Sequence, residues 1–142
     1  MTSTAISAKG TRISKNTGTS LAPVWSPIKN VTQFSGFSGS AADIDVTDFD
    51  SDAKESRPGL QDWDSISIDI NINMKETSHT TLLADKQSGA IGQYQALLSD
   101  GTAIAFDAYV KSFPIGGAVD AVYKGTVVIK LSGDIEVTPP AA

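Results

Sequence analysis

The chain has 142 residues, no cysteine and a formal net charge of −5 at pH 7. This length fits one domain over residues 1–142, and such a domain buries about two thirds of the surface that its unfolded chain exposes. The absence of cysteine excludes a disulfide scaffold, a thiolate zinc site and a cysteine nucleophile, and the acidic balance argues against ordinary nucleic-acid binding, which needs a basic surface.

The N-terminal part of the chain is basic, and the remainder is acidic. Residues 1–42 contain four basic side chains and no acidic one, whereas residues 43–142 contain seven basic and sixteen acidic ones. Residues 1–27 are polar and rich in serine and threonine, and we predict that they form an extended N-terminal arm that is ordered by a partner. The alternative is that the basic N-terminal part and the acidic remainder of the chain are both solvated by water and aid solubility. The arm's candidates for docking on an acidic region are Lys9, Arg12 and Lys15.

Short strand-like segments precede the most charged part of the chain. They are residues 11–15, residues 24–25 between two prolines, and residues 28–34. The flanking prolines force extended backbone and favour an edge strand or a connection. A further strand is predicted over residues 43–47, because Ile44 and Val46 point to one side while the polar residues between them point to the other.

A highly charged connection follows this strand, and over residues 47–62 it has no apolar period of its own. Loops of this length are usually functional or disordered. Disorder would leave Phe49 and other large apolar side chains in water, and Pro58-Gly59 is typical of a specific turn. We therefore predict a long projecting inter-strand loop that becomes ordered against a partner during assembly. Its candidate residues for contact with that partner are Asp50, Lys54, Glu55, Arg57, Pro58, Gly59, Leu60 and Trp63.

Residues 63–74 alternate more regularly than any other segment. Alternation with a period of two predicts a strand with one buried and one solvated face. The apolar face consists of Ile66, Ile68, Ile70, Ile72 and Met74, and the polar face of Ser65, Ser67, Asp69, Asn71 and Asn73.

One helix is predicted, over residues 80–86. Thr77 or Ser78 can cap its N-terminus, and Gly89 can end it. His79, beside the predicted cap, is the chain's one histidine, which excludes a metal site built from several histidines.

The C-terminal part of the chain reads as strands. Residues 91–98 and 103–111 flank Asp100-Gly101, a good hairpin signal, and residues 121–137 alternate again. The predicted fold is therefore mainly β: an antiparallel β sandwich or barrel-like sheet with one short flanking α-helix and a long projecting loop. Residues 139–142 are predicted to form a C-terminal tail.

Motifs for chemistry are weak or incomplete. Asp48, Asp50 and Asp52 open like a calcium-binding loop, but Ala53 stands where that loop needs glycine and Gly59 where it needs glutamate. We predict no catalytic, metal or cofactor-binding residues, no cofactor and no enzymatic activity. No segment approaches the ~20 apolar residues of a membrane helix or the apolar run of a signal peptide, so we expect no membrane partner.

Two blocks of sequence carry a resemblance to a known family. The first consists of residues 44–47, 50–55, 58–60 and 62–63, and the second of residues 110–120 and 133–137. The blocks resemble the major tail tube proteins of long, non-contractile-tailed, lambda-like bacteriophages, over most of residues 30–138. That resemblance implies a β sandwich flanked by one short helix, self-assembly into hexameric rings, and stacking of these rings into a tube for DNA ejection. It also implies that the partner of the charged connection is another subunit, so that the residues from Asp50 to Trp63 named above form a subunit and ring-stacking interface, and that Lys9, Arg12 and Lys15 dock on an adjacent subunit.

The resemblance also implies partners and a location. The chain would bind copies of itself and the tail initiator, terminator and tape-measure proteins, and DNA would pass through without specific binding. It would be made in the host cytoplasm and reside in the virion tail. Two alternatives remain: a monomeric β-sandwich binding module of a phage particle, and a tube subunit like that of type VI secretion.

A tube that lets DNA pass needs an inner wall that is polar and neutral or negative, because repeated cations would hold the phosphates. Two polar strand faces are candidates for this lumen, although an ordinary solvent face would show the same pattern. The candidate lumen residues are Asp43, Asp45, Ser65, Ser67, Asp69 and Asn71.

Overall fold

A computed structural model describes residues 5–7, 9–19 and 21–140, which form nine strands and one helix. The elements are β1 Arg12–Asn16, β2 Trp25–Pro27, β3 Val31–Ser35, β4 Ser40–Asp45, β5 Ser56–Asp62, β6 Ser65–Asn71, α1 Thr77–Ser88, β7 Gly92–Leu97, β8 Ala103–Ser112 and β9 Lys124–Thr138. Seven strands form one sheet in the order β2-β1-β7-β8-β9-β6-β3, while β4 and β5 form a second, two-stranded sheet. Every strand pair is antiparallel.

The large sheet curls so that its two edge strands, β2 and β3, come close together. Only residues 28–30 separate the end of β2 from the start of β3. The Ile28 N–H donates to the carbonyl oxygen of Ile13 on β1 (2.7 Å), and the Asn71 N–H on β6 donates to the carbonyl oxygen of Asn30 (3.0 Å). One short segment therefore bridges both ends of the sheet, and the predicted mainly β, barrel-like architecture with one short helix is confirmed.

Alternating apolar side chains of β6 form the centre of the core. Ile66, Ile68 and Ile70 are at most 1% exposed, and they pack with apolar residues of β7, β8 and β9. This face agrees with the alternation in the sequence. The strand is shorter than predicted, because a turn at Asn73 leads into the helix and leaves Met74 exposed.

Helix α1 covers one side of the sheet and starts earlier than predicted. Its N-cap residue is Glu76, which makes no side-chain capping hydrogen bond, so the prediction of Thr77 or Ser78 as the cap is wrong. Gly89 ends the helix in the left-handed conformation (φ 72°), as predicted.

His79 is fully buried rather than an ordinary neighbour of the cap. Its Nδ1 accepts a hydrogen bond from the Asn73 N–H (3.0 Å), and its Nε2 lies 2.7 Å from the carbonyl oxygen of Lys29. The backbone N–H can only donate and the carbonyl can only accept, so the imidazole carries its proton on Nε2. The ring thus joins the start of α1 to the segment between β2 and β3.

Replacing His79 with alanine is expected to lower the free energy of unfolding by about 1–3 kcal/mol, because two backbone groups lose their partner and a small cavity remains. Urea unfolding would measure this loss as a lower midpoint with an unchanged slope. Gln87→Ala, at an exposed position on the same helix, is the control and should change stability by less than about 0.5 kcal/mol. Equal midpoints for both variants would contradict the structural role of His79.

Much of the predicted N-terminal arm belongs to the sheet. Strand β1 lies between β2 and β7, and Ile13 is 1% exposed in the core. The expectation of an extended arm is therefore wrong for Arg12–Asn16 and Trp25–Pro27, which are strands. Residues 11–15 and 24–25 were recognised as strand-like, but nothing in their local sequence shows that they pair with β7 and join the main sheet. The remaining arm includes residues 1–4 and 8, which, like residues 20 and 141–142, lie outside the described residues.

Candidate assembly surfaces

Strands β4 and β5 form a hairpin that stands apart from the large sheet. Their pairing runs from Ser40 opposite Asp62 to Asp45 opposite Ser56, and the Val46 N–H donates to the carbonyl oxygen of Glu55 (3.0 Å). The prediction of a long inter-strand loop over residues 47–62 is therefore wrong for Ser56–Asp62, which is strand β5. Only residues 47–54 form the connecting tip.

Pro58-Gly59 lies inside β5 and does not form the predicted turn. The register of the hairpin shifts between Ala41 and Asp43, and Pro58 pairs with Asp43 at this irregularity. An interrupted ladder tolerates a residue that lacks an N–H, so proline fits here.

Most side chains on both faces of the hairpin are exposed. Phe49 is 109% exposed, Leu60 is 92% exposed and Ile44 is 52% exposed. A lone two-stranded hairpin is marginally stable in water, and large apolar residues exposed along one element are typical of a binding surface. These features favour a hairpin that is covered by another subunit.

The tip of the hairpin is itself ordered. The Asp48 carboxylate accepts hydrogen bonds from the Asp50 N–H (3.0 Å) and the Ser51 hydroxyl (3.2 Å), and the Ser51 N–H donates to the carbonyl oxygen of Asp48 (3.1 Å). Thr47 accepts a further bond from the Glu55 N–H across the tip (2.7 Å). Phe49 therefore projects from a turn that is already formed, which reduces the entropy lost on binding.

The base of the hairpin is tied to β9. The Trp63 indole N–H donates to Asp134 (2.6 Å), and the Lys130 ammonium donates to Asp62 (3.0 Å) and lies 3.9 Å from Asp64. The pKa of Asp62 is lowered, first by the Asp64 N–H and then by Lys130, and the pKa of Lys130 is raised mainly by Asp62. The stability from Asp62 is therefore present at neutral pH and is lost as the pH falls through its lowered pKa. Trp63, predicted as an interface residue, has its indole N–H bonded within its own subunit.

Gly39 lies where the hairpin leaves the large sheet, and a side chain there has no room. A Cβ at this position would lie 2.0 Å from the carbonyl oxygen of Asp62 and 2.8 Å from the Cα of Trp63. We expect Gly39→Ala to shift the hairpin, to lower stability by about 1–3 kcal/mol and to reduce assembly while the large sheet stays folded. Circular dichroism and sedimentation would measure both effects.

Gly92→Ala is the matched control for Gly39→Ala. A Cβ at Gly92 would meet only the flexible end of Lys15 at 3.4 Å and the Tyr94 ring at 3.5 Å. This variant should fold and assemble normally. Equal assembly of the two variants would show that the position of the hairpin does not matter.

The predicted docking cations do not act as one group. Lys15 forms an ion pair with Asp85 of α1, and both side chains are largely shielded from solvent. Tyr94 donates to the same carboxylate (3.4 Å), and its pKa is raised by burial and then by Asp85. Lys15 thus has its partner in its own chain, and its predicted docking on a neighbour is not supported. Lys9 and Arg12 are exposed, and their docking stays a prediction.

The two candidate lumen faces lie on different sheets. Asp43 and Asp45 belong to β4 of the hairpin, whereas the other four candidates, from Ser65 to Asn71, share the half-exposed face of β6. On that face the Asp69 carboxylate accepts a hydrogen bond from the Thr126 hydroxyl (2.7 Å). The register also brings two lysines of β9 beside it: Lys130 opposite Ser65 and Lys124 opposite Asn71. The face therefore has mixed charge, and its position in a lumen stays a prediction.

A second exposed apolar surface lies in the connection between β8 and β9. Its exposed members are Ile115 (56%), Val119 (101%), Val122 (56%) and Tyr123 (65%). Sequence reasoning missed this surface, although residues 115–123 contain a single charged residue, Asp120. That low charge in a glycine-containing connection was the available signal.

Among the described residues, no group of three or more His, Asp or Glu side chains could hold a metal ion. In the same part of the chain, no helix is long and apolar enough to cross a membrane.

The chain is similar to several solved structures of tails and injection systems. It matches a chain in "Tail of empty GTA particle computed with helical refinement, C6 symmetry" with a TM-score of 0.76 and 16% identity, covering 95% of this chain and 100% of that chain. A chain in "Virion of native gene transfer agent (GTA) particle" matches with a TM-score of 0.75 and 17% identity, covering 95% of this chain and 100% of that chain. A chain in the sheath/tube terminator of an extracellular contractile injection system, PVC, matches with a TM-score of 0.71 and 11% identity, covering 98% of this chain and 100% of that chain. At these identities the likeness shows a shared fold.

Family membership follows from the sequence. No curated protein matches the chain. The model of the family described as "Phage tail tube, TTP, lambda-like" matches residues 4–104, which is most of the chain. The resemblance predicted from the sequence is thereby confirmed. The chain belongs to the lambda-like phage tail tube family, and it is a structural tail tube subunit of the virion tail.

Proposed function

We propose that six copies of the chain form a ring, that rings stack into the tail tube, and that the β4–β5 hairpin of one copy binds a copy in the next ring. The observation that carries this proposal is the hairpin itself. It is fixed at its base by Trp63 and Lys130, it is exposed on both faces, and it presents Phe49 and Leu60 to solvent. Nothing in the subunit's own core requires such a surface.

The edges of the large sheet support closure into a ring. Strand β2 pairs only with β1, and β3 pairs only with β6, so each leaves one side unpaired among the described strands. Open edges are normally protected, and a ring of sheets joined edge to edge removes them. A head-to-tail interface that closes by rotation gives such a ring. Six copies are proposed because the similar tail of the empty gene transfer agent particle has C6 symmetry.

Within this proposal the subunit has no enzymatic role and binds no cofactor. Its partners are other copies of the chain and, at the ends and in the lumen of the tube, the tail initiator, terminator and tape-measure proteins. DNA passes through the lumen without being held. Neighbours from tube, tail and baseplate assemblies support binding to other tail components in general.

Negative-stain electron microscopy of the concentrated protein, alone and with the initiator of its own tail, tests the proposal. Long tubes of uniform width, with sixfold symmetry in axial views, are the expected result. Compact particles of monomer size under both conditions would overturn it and favour the monomeric binding module.

A further inference from the structure

A cavity of about 270 Å³ lies between the N-terminal half of α1 and the β1–β2 edge of the sheet. Pro27, Ile28 and Leu82 give it an apolar floor, and Thr81 and Lys29 lie at its rim. Pockets for small-molecule ligands usually measure ~300–1,000 Å³. This cavity is smaller than most of them, so its size suits one large side chain better than a separate ligand.

We propose that this cavity receives Phe49 from the hairpin tip of a neighbouring copy of the chain. The inference rests on the proposed function, because it supplies the receptor for the hairpin of the next ring. Phe49 fits the role of the inserted side chain: it is fully exposed, and it projects from a turn that Asp48 and Ser51 already hold. An aromatic side chain that enters an apolar pocket at low entropic cost is typical of an interface hot spot.

The charges around the two surfaces are complementary. Asp48 and Asp50 flank Phe49 in the sequence, and with Asp52 and Lys54 the tip contains three acidic residues and one basic residue. At the cavity, Lys29 is exposed and forms no ion pair with any described residue. The cavity also borders the positive end of the helix dipole, and the first turn of α1 contains no acidic residue.

Two further charged residues, Glu76 and Lys15, line the cavity and affect its attraction for the acidic tip. Glu76, the N-cap residue, lies among the lining residues and weakens the attraction for an acidic tip. Lys15 also lines the cavity, but its charge is already paired with Asp85. Lys29 is therefore the lysine at the cavity whose ammonium group can pair with an acidic residue of the hairpin tip.

Two larger depressions on the surface suit the tip less well. One, of about 560 Å³, contains Asp85 and Asp107 with Lys15, and the other, of about 540 Å³, contains Asp69 with Lys124. Their linings are more polar than that of the cavity at α1, so they suit the insertion of an aromatic side chain less well.

Disulfide trapping in tubes tests the proposal, because the natural chain has no cysteine and gives no background. Asp50→Cys and Thr81→Cys chains, carrying different tags, are mixed, assembled and oxidised. We expect a covalent dimer that joins the two different chains, because a disulfide forms only when the two Cα atoms lie within ~7 Å. Gln87→Cys replaces Thr81→Cys in the control. It is six residues further along α1, about 9 Å away, and should give about tenfold less dimer.

The outcomes separate this inference from the proposed function. Mixed tubes that give no more dimer with Thr81→Cys than with Gln87→Cys would overturn the receptor cavity and leave the tube intact. Wild-type chains that form no tubes would overturn the proposed function, and the inference with it.

A charge exchange gives a second measurement that needs no cysteine variant. Lys29→Glu is expected to raise the protein concentration needed for assembly about tenfold, and Asp50→Lys in the same chain is expected to restore it, because the exchange recreates an opposite pair. Failure of the second substitution to restore assembly would count against contact between the tip and this cavity.

Discussion

A chain in which an Asn-Gly turn replaces residues 47–54 is expected to fold normally and to form no tubes. The hairpin is paired up to Val46 and Glu55, and Asn-Gly favours the tight turn that can join such strands. The replaced residues include Phe49, and nearly all of them are exposed. The shortened subunit should therefore keep its stability within about 0.5 kcal/mol, whereas tube assembly should be lost.

Circular dichroism, thermal unfolding and sedimentation velocity would be measured on the shortened chain, with electron microscopy for tubes. Asp100→Asn is the control, since it changes the β7–β8 turn to Asn-Gly without removing residues. This control should assemble. Tubes of normal length from the shortened hairpin would rule out a role for the tip.

Asp69→Lys is expected to give tubes that assemble but retain DNA. The substitution changes the charge by two in every subunit and places a third cation near Lys124 and Lys130 on the β6–β9 face. Each additional phosphate contact raises the salt dependence of DNA binding by about one unit, and the contacts repeat along the tube. Particles with these tails should eject DNA slowly or infect poorly, most clearly at low salt.

A complementation assay across ionic strength would measure this effect. Asp69→Asn removes the anion without adding a cation and keeps the size of the side chain, so it is the control and should be nearly silent. Normal ejection from well-formed Asp69→Lys tails at low salt would place this face on the outside of the tube or in an interface.

Strand β6, which has one buried face, was predictable, whereas β5, which has none, was not. Ile66, Ile68 and Ile70 alternate with polar residues because one side of β6 faces the core and the other faces outward. Strand β5 has two exposed faces in the isolated subunit, so nothing in its sequence has a period of two. The same exposure made Ser56–Asp62 look like a loop.

The sequence indicated which segment carries the candidate site but not how that segment is held in space. The charged connection with its apolar residues coincides with the tip and second strand of the β4–β5 hairpin, and Phe49 stood out as costly to leave in water. The bonds that fix its base join Trp63 to Asp134 and Asp62 to Lys130. Partners so far apart in the chain leave no local pattern.

The class of fold, the buried face of β6, the helix stop at Gly89 and the family could all be inferred from the sequence alone. Each of them depends on residues that are close together in the chain or on a family pattern. Only the tertiary structure decided that β1 lies between β2 and β7, that His79 joins α1 to the carbonyl of Lys29, and that a cavity opens beside α1. These features arise where distant segments meet. Burial and hydrogen bonding between such segments depend on the whole packed chain, whereas alternation and capping are local.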